Sequence, residues 1–267
     1  MDMDYVKPNQ VVDSLATAGV YKSQLAIKHI LIKAILAGVF LGYATTLAFS
    51  ASVQTGLDIV GAILFPAGFV MVLLLNLELV TGSFAVLPIA RFRNKITTPA
   101  IGYTLTWSFL GNLIGALIYA ALYTIYITHL GHVDESLIIQ KIITVAESKT
   151  LDYKAYGMDG MIVVFVKAIL CNFMVALGVV MNTTSTSTIG KIAAMWLPIM
   201  IFFAQGFEHS VVNMFVIPAG MMVGANITMV DWWIWNQIPV TIGNFISGCI
   251  FVGLALHIIT RQKKENR

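Results

Sequence analysis

The sequence predicts an all-α integral membrane protein: six transmembrane helices, laid out as two inverted three-helix repeats whose second and fifth helices are broken. Three observations carry this. Of 267 residues 58% are hydrophobic and only 11% charged, and the mean hydropathy is +0.84, values that fit a bilayer and exclude a soluble fold. Six apolar segments, about 28–52, 57–90, 99–128, 158–183, 190–224 and 232–260, reach or exceed the roughly 20 residues of a helical crossing, and the alternating pattern of an outer-membrane barrel is absent. Landmarks also recur in one order at offsets of 130 to 134 residues: KAIL at 33–36 and 167–170, Pro66 and Pro198, Glu78 and Glu208, Pro88 and Pro218, GNLIGALI at 111–118 and GNFISGCI at 243–250.

Residues 1–27 have no basic n-region, apolar core or cleavage site, so no signal peptide is expected to be removed. Val11, Val12, Leu15 and Ala16 share a helical face, which predicts a short amphipathic helix on the cytoplasmic membrane surface. Residues 28–260 form the transmembrane channel domain, with repeats at about 28–128 and 158–260. Residues 261–267 form a basic tail. Segments 57–90 and 190–224 are too long for one crossing, and each carries polar residues midway, NLELVTGS at 76–83 and QGFEHS at 205–210. These are read as broken helices.

Arg91, Arg93 and Lys95 in the loop after segment two, and Arg261, Lys263, Lys264 and Arg267 in the tail, put both termini in the cytoplasm by the positive-inside rule. Trp232, Trp233 and Trp235 then stand at the outer interface. Three crossings per repeat is an odd number, so the halves are inverted relative to each other, an arrangement that points to transport with the site where the breaks meet.

Broken helices free backbone groups that lipid cannot satisfy, so the breaks must be buried in protein or line a wet pore. Half-helix N-termini in such a pore suit a small anion. Glu208 and His209 mark one break; Glu78, Leu79 and Thr81 mark its counterpart. The glutamates read either as pathway residues or as a network that satisfies orphaned amides. His209 alone among five histidines lies at a break near the centre of a crossing, and is read as functional. Lys167 either snorkels to a headgroup region or draws anions into a vestibule. Asn172 and Asn213 are expected to hydrogen-bond the break loops or His209. Cys171 and Cys249 lie in apolar helices without metal-ligand spacing and are read as packing residues. No cofactor, metal site or nucleic-acid partner is expected.

The stretches FPAGFVMVLLLNLELVTGSF (65–84), ILCNFMVALGVVM (169–181), GFEHSVVNMF (206–215) and GNFISG (243–248) resemble the formate/nitrite transporter family. The resemblance implies an aquaporin-like protomer of six helices, assembled as a homopentamer with one pore per protomer, in a prokaryotic plasma membrane. It implies that His209 meets the anion between two apolar constrictions, with Thr81 beside it and Asn172 hydrogen-bonded to it. Leu79 and Phe202 match constriction residues, and Phe65 and Phe69 align near the cytoplasmic one.

A bare carboxylate loses its hydration in a dry apolar ring, and protonation avoids most of that cost. The expected function is therefore transport of small monovalent anions, formate first, with proton-linked passage at His209. Nitrite, hydrosulfide or a short-chain carboxylate is the alternative within the family. An aquaporin-type solute channel ranks below, because the Asn-Pro-Ala motif is missing at both breaks. An enzyme is not expected: no HExxH, placed nucleophile or ligand cluster is present.

Overall fold

The computed structural model describes residues 4–260, and among them every regular element is a helix. In chain order these are α1 (Pro8–Ser23), α2 (Ile27–Thr55), α3 (Asp58–Leu64), α4 (Pro66–Leu74), α5 (Val80–Phe92), α6 (Thr98–Thr128), α7 (Leu137–Ser148), α8 (Leu151–Ala155), α9 (Gly157–Asn182), α10 (Thr188–Ala204) and α11 (Ser210–Met222). The last helix, Met229–Thr260, contains two π-helical stretches. Four of these, α2, α6, α9 and the last, are long and apolar enough to cross a membrane. The basic tail, 261–267, lies outside the described residues.

The two over-long segments break at corresponding points and in the same way. Asn76 (φ 51°) and Gly206 (φ 63°) adopt the left-handed conformation that ends a helix. Leu77 N–H donates to Val72 O (2.9 Å) and Asn76 N–H to Leu73 O (3.1 Å); Phe207 N–H donates to Phe202 O (3.2 Å) and Gly206 N–H to Phe203 O (3.0 Å). These paired bonds close the last carbonyls of α4 and α10. The chain then extends through Leu79 (φ −107°, ψ 116°) and His209 (φ −110°, ψ 119°), the residues that immediately precede α5 and α11.

Small residues set how closely the long helices approach. A Cβ on Gly111 of α6 would lie 2.5 Å from Ala34 Cβ and 3.1 Å from Leu31 O of α2; one on Gly243 would lie 2.7 Å from Ala168 Cβ and 3.0 Å from Phe165 O of α9. The GN dipeptides at 111–112 and 243–244 thus mark the same contact in both halves, with glycine admitting the neighbouring backbone.

The apolar stripe of α1 has a protein partner, which corrects the expectation of a helix lying on the membrane surface. Val11, Val12, Leu15 and Ala16 are buried, and α1 packs along α5, close enough that a Cβ on Gly19 would meet Ala90 Cβ at 2.6 Å. The stretch between the apolar segments 99–128 and 158–183 contains α7, whose Ile139, Ile142 and Ala146 are buried as it packs on α11.

Ahead of α1, the chain is strapped to the turn between α9 and α10. Val6 N–H donates to Thr184 O (2.8 Å). Asp4 Oδ1 accepts from Ser185 Oγ (2.7 Å), Ser187 N (2.7 Å), Thr186 N (2.8 Å) and Thr186 Oγ1 (3.1 Å). The Ser185 hydroxyl foremost, with the amides of the turn, holds the Asp4 carboxyl below its usual range.

Two outcomes are expected. Gly111→Ala and Gly243→Ala should each lower the thermal midpoint in detergent, at an overpacking cost of about 1–3 kcal/mol. Gly102→Ala on α6, where an added Cβ meets nothing within 4 Å, should be neutral or slightly stabilising. For the strap, a carboxyl whose folded value is depressed stabilises above its unfolded value, about 3.9, and that contribution vanishes as pH falls through the folded value. Hydrogen-exchange protection of the Thr186 and Ser187 amides should therefore hold at neutral pH and fall on strong acidification. In Asp4→Asn it should be low throughout and lose that dependence.

Candidate functional site

The site is built on one device used twice. Asn112, midway along α6, accepts from Val80 N–H at Oδ1 (2.9 Å) and donates through Nδ2 to Ala34 O (2.8 Å) and Glu78 O (2.9 Å). Asn244, in the last helix, accepts from Ser210 N–H (2.9 Å) and donates to Ala168 O (2.7 Å) and Glu208 O (3.0 Å). Each fully buried carboxamide ties the carbonyl just before the extended residue of a break and the first amide of the following half-helix to a neighbouring long helix. Groups that would otherwise be unpaired in an apolar interior are thereby satisfied.

His209 sits inside the second of these braces, between Glu208 and Ser210. Its ring caps α11: Nδ1 accepts from Val212 N–H (3.1 Å), while Nε2 lies 3.0 Å from Thr81 Oγ1 at the start of α5. Because Nδ1 is the acceptor, the neutral ring carries its proton on Nε2. The side chain is 2% exposed, and the Phe202 ring stacks on it with centroids 5.5 Å apart and planes 20° apart. The two breaks therefore meet through one hydrogen bond, His209 to Thr81.

The glutamates face away from that meeting point, each towards a lysine from an accessory helix or its margin. Glu78 Oε2 accepts from Lys22 Nζ of α1 (2.7 Å). Glu208 Oε2 accepts from Lys149 Nζ at the end of α7 (3.1 Å), Asn213 Nδ2 (2.7 Å) and Asn236 Nδ2 (3.1 Å), and Oε1 accepts from Tyr153 OH (2.8 Å). Lys167 Nζ donates to Tyr153 OH (3.0 Å); in the first half Lys33 Nζ donates to Tyr21 OH (3.1 Å). The halves differ at one point. Glu208 is held by four donors, whereas Glu78 has Lys22 alone, and its Oε1 has no partner among the described residues.

Two cavities open on the α7 side. One of about 200 Å³ is lined by the exposed Asp58, by Lys141 and Lys149, and by the buried Phe202 and His209 with Phe203. A second, of about 600 Å³, is lined by Lys167, Tyr153, Glu208, Lys149 and the exposed flank of α9. Phe65 stacks on Phe203 (4.0 Å) and meets Phe202 edge-on (5.6 Å), so it belongs to the aromatic cluster above His209. Leu79 and Phe69 are buried, Leu79 immediately before α5 and Phe69 against Gly178 of α9.

Other expectations need revision. Asn172 does not bond His209: its Nδ2 donates to Asn244 O (2.7 Å) and Thr81 O (3.3 Å), so it links the second brace to α5. Of the two alternatives for Asn213, the structure shows the break loop and not the histidine: its Nδ2 lies against Glu208 Oε2 (2.7 Å) and Asn236 Oδ1 (2.8 Å). Lys167 bonds Tyr153 and lines the larger cavity beside Glu208. Sequence reasoning did not single out Lys22, Lys149, Tyr153, Asn112 or Asn244. Tyr21 and Tyr153, 132 residues apart, and Lys33 and Lys167, 134 apart, follow the repeat spacing that could have flagged them.

The formate/nitrite transporter family profile matches residues 9–258. The uncharacterized transporter YrhG of Bacillus subtilis (strain 168) is 34% identical over 99% of this chain and 97% of its own length. The formate channel BtFdhC of Bacillus thuringiensis is 31% identical over 99% of each. A solved structure of a pentameric formate channel with formate bound superposes with a TM-score of 0.70 at 24% identity, covering 88% of this chain and 97% of that one.

The braces make a direct prediction. Asn244→Leu and Asn112→Leu each orphan two buried backbone groups of a break, one amide and one carbonyl, at about 1–3 kcal/mol for each group left unpaired. Both should lower the thermal midpoint in detergent more than Asn172→Leu, which removes two bonds from a side chain whose Oδ1 is already unpartnered.

Proposed function

Because the chain belongs to the formate/nitrite transporter family, a family of membrane channels and transporters and not of enzymes, we propose that it passes small monovalent anions, formate first among them, through a pore centred on His209. The formate channel of B. thuringiensis, similar over nearly the whole chain, supports formate as the substrate. In this reading the two repeats are inverted in the plasma membrane of a prokaryote, six crossings place both termini in the cytoplasm, and the α7 side faces outward. The pentameric formate channel of the same fold supports a homopentamer with one pore in each protomer.

The single observation that carries the reading is the way His209 is held. A ring whose Nδ1 caps α11 has its Nε2–H fixed towards Thr81 Oγ1, at the buried end of the cavity that opens past Lys149 and Lys141. An arriving carboxylate finds two donors there, Nε2–H and the Thr81 hydroxyl. On either side of them, Phe202 with Phe65 and the Leu79 region exclude water, so the anion exchanges hydration for these two bonds.

Proton-linked passage then has a structural condition. For His209 to hand a proton from Nε2 to the anion and remain neutral, Nδ1 must carry a proton, and the bond from Val212 N–H must open. Proton handling is therefore tied to the first turn of α11. Leu79, Phe65 and Phe69 narrow the path, Asn172 and Asn213 keep the break loops in register, and Lys167 contributes positive charge beside Glu208.

His209→Asn separates these roles, since an asparagine can still cap α11 but cannot titrate. Uptake of labelled formate and nitrite into proteoliposomes over several pH values should show formate faster than nitrite for the wild type, and a pH response lost in the variant. A variant that keeps the wild-type pH response would remove His209 from proton handling.

A further inference from the structure

Two lysines line the cavity that leads to His209, and they are in opposite situations. Lys149 faces Glu208, a carboxylate 1% exposed and fixed by three further donors, so its charge is matched by a permanent buried partner. Lys141, two turns earlier on α7, faces Asp58, the first residue of α3. Their Nζ and Oδ1 atoms are 2.6 Å apart, and the Asp58 side chain is 79% exposed against 26% for Lys141. Asp58 pairs with Lys141 through one oxygen and has the Ser52 hydroxyl as a further hydrogen-bond partner, in the lining of a cavity that also reaches the central histidine.

From this geometry we propose that Lys141 is the outer capture residue for the permeating anion and that Asp58 is its tethered competitor. This rests on the anion-channel reading above and adds residues to it. The Asp58 carboxylate occupies the place at Lys141 Nζ that a formate oxygen would take, and formate is the same functional group without the tether. An ion pair whose carboxylate is this exposed is weak and exchanges readily, so an incoming anion displaces Asp58 into water and leaves Lys141 bound to substrate. Lys149 cannot serve in this way, because removing its partner would strand a buried carboxylate. A positive charge at the mouth of a low-dielectric cleft raises the local anion concentration, and the tethered carboxylate sets how far.

The test is the concentration dependence of labelled formate uptake into proteoliposomes, at low and at high ionic strength. Asp58→Asn should lower the half-saturating formate concentration by about two- to five-fold at low salt, and Lys141→Gln should raise it by a similar factor; both shifts should shrink at high salt, where surface charge is screened. Since Asp58 acts through Lys141, the double variant should resemble Lys141→Gln, and Lys141→Arg should restore capture if the first variant is misfolded. A half-saturating concentration that is unchanged or raised in Asp58→Asn, or unchanged in Lys141→Gln while the wild type transports formate, overturns this inference alone. A wild type that moves no formate above empty liposomes overturns the anion-channel reading and this inference together.

Discussion

Two buried carboxamides hold the interior together. A helix interrupted within an apolar bundle leaves amides and carbonyls that nothing in lipid can satisfy, and Asn112 and Asn244 each take up two such groups at an interruption and anchor them to a carbonyl of a neighbouring long helix. Once those bonds are made, the extended residues Leu79 and His209 have fixed directions. Gly111 and Gly243 complete the device, since each stands one residue before its asparagine and lets the partner helix come close enough to be reached.

The charged residues follow from the same constraint. Glu78 and Glu208 supply the carbonyls that the asparagines bind, which commits their side chains to burial beside the breaks. A buried carboxylate needs compensation, and it comes from Lys22 on α1 and Lys149 at the end of α7. The accessory helices are thus coupled to the breaks by ion pairs as well as by apolar packing. The second half is more completely bonded, with Tyr153, Asn213 and Asn236 added around Glu208, while Glu78 keeps one oxygen unpartnered. The Lys33–Tyr21 pair stands where Lys167–Tyr153 stands in the other half, but Tyr21 is exposed and donates to no glutamate among the described residues. The two halves share a skeleton and differ in how tightly their carboxylates are held.

Much of this was legible in the sequence because the signals are local. Apolar length gives the long helices; a glutamate with turn-forming neighbours inside an over-long apolar run gives the breaks; a constant offset gives the correspondence of Glu78 with Glu208 and of the GN dipeptides. His209 stands out by its position at a break. What was not legible depends on contacts between distant segments. Lys22 and Lys149 lie in stretches that read as polar surface, 56 and 59 residues from the carboxylates they meet. The stripe on α1 reads the same whether it faces lipid or α5. The asparagines at 112 and 244 are polar residues inside apolar helices, and only the fold reveals that an otherwise unpaired amide and carbonyl stand beside each one. Asn172 shows the limit of carrying a role across by resemblance, since its amide is spent on Thr81 and Asn244 carbonyls.

The central claim is that backbone capping fixes the histidine as a neutral ring with its proton on Nε2, directed at Thr81. The most direct test is nitrogen-15 magnetic resonance of the lipid-embedded protein labelled at histidine, with the His209 signals assigned by their loss in His209→Asn. The account predicts, near neutral pH and without substrate, a protonated Nε2 and an unprotonated, hydrogen-bond-accepting Nδ1. A proton on Nδ1 in that state would contradict it, because the cap on α11 and the orientation derived from it would then not exist.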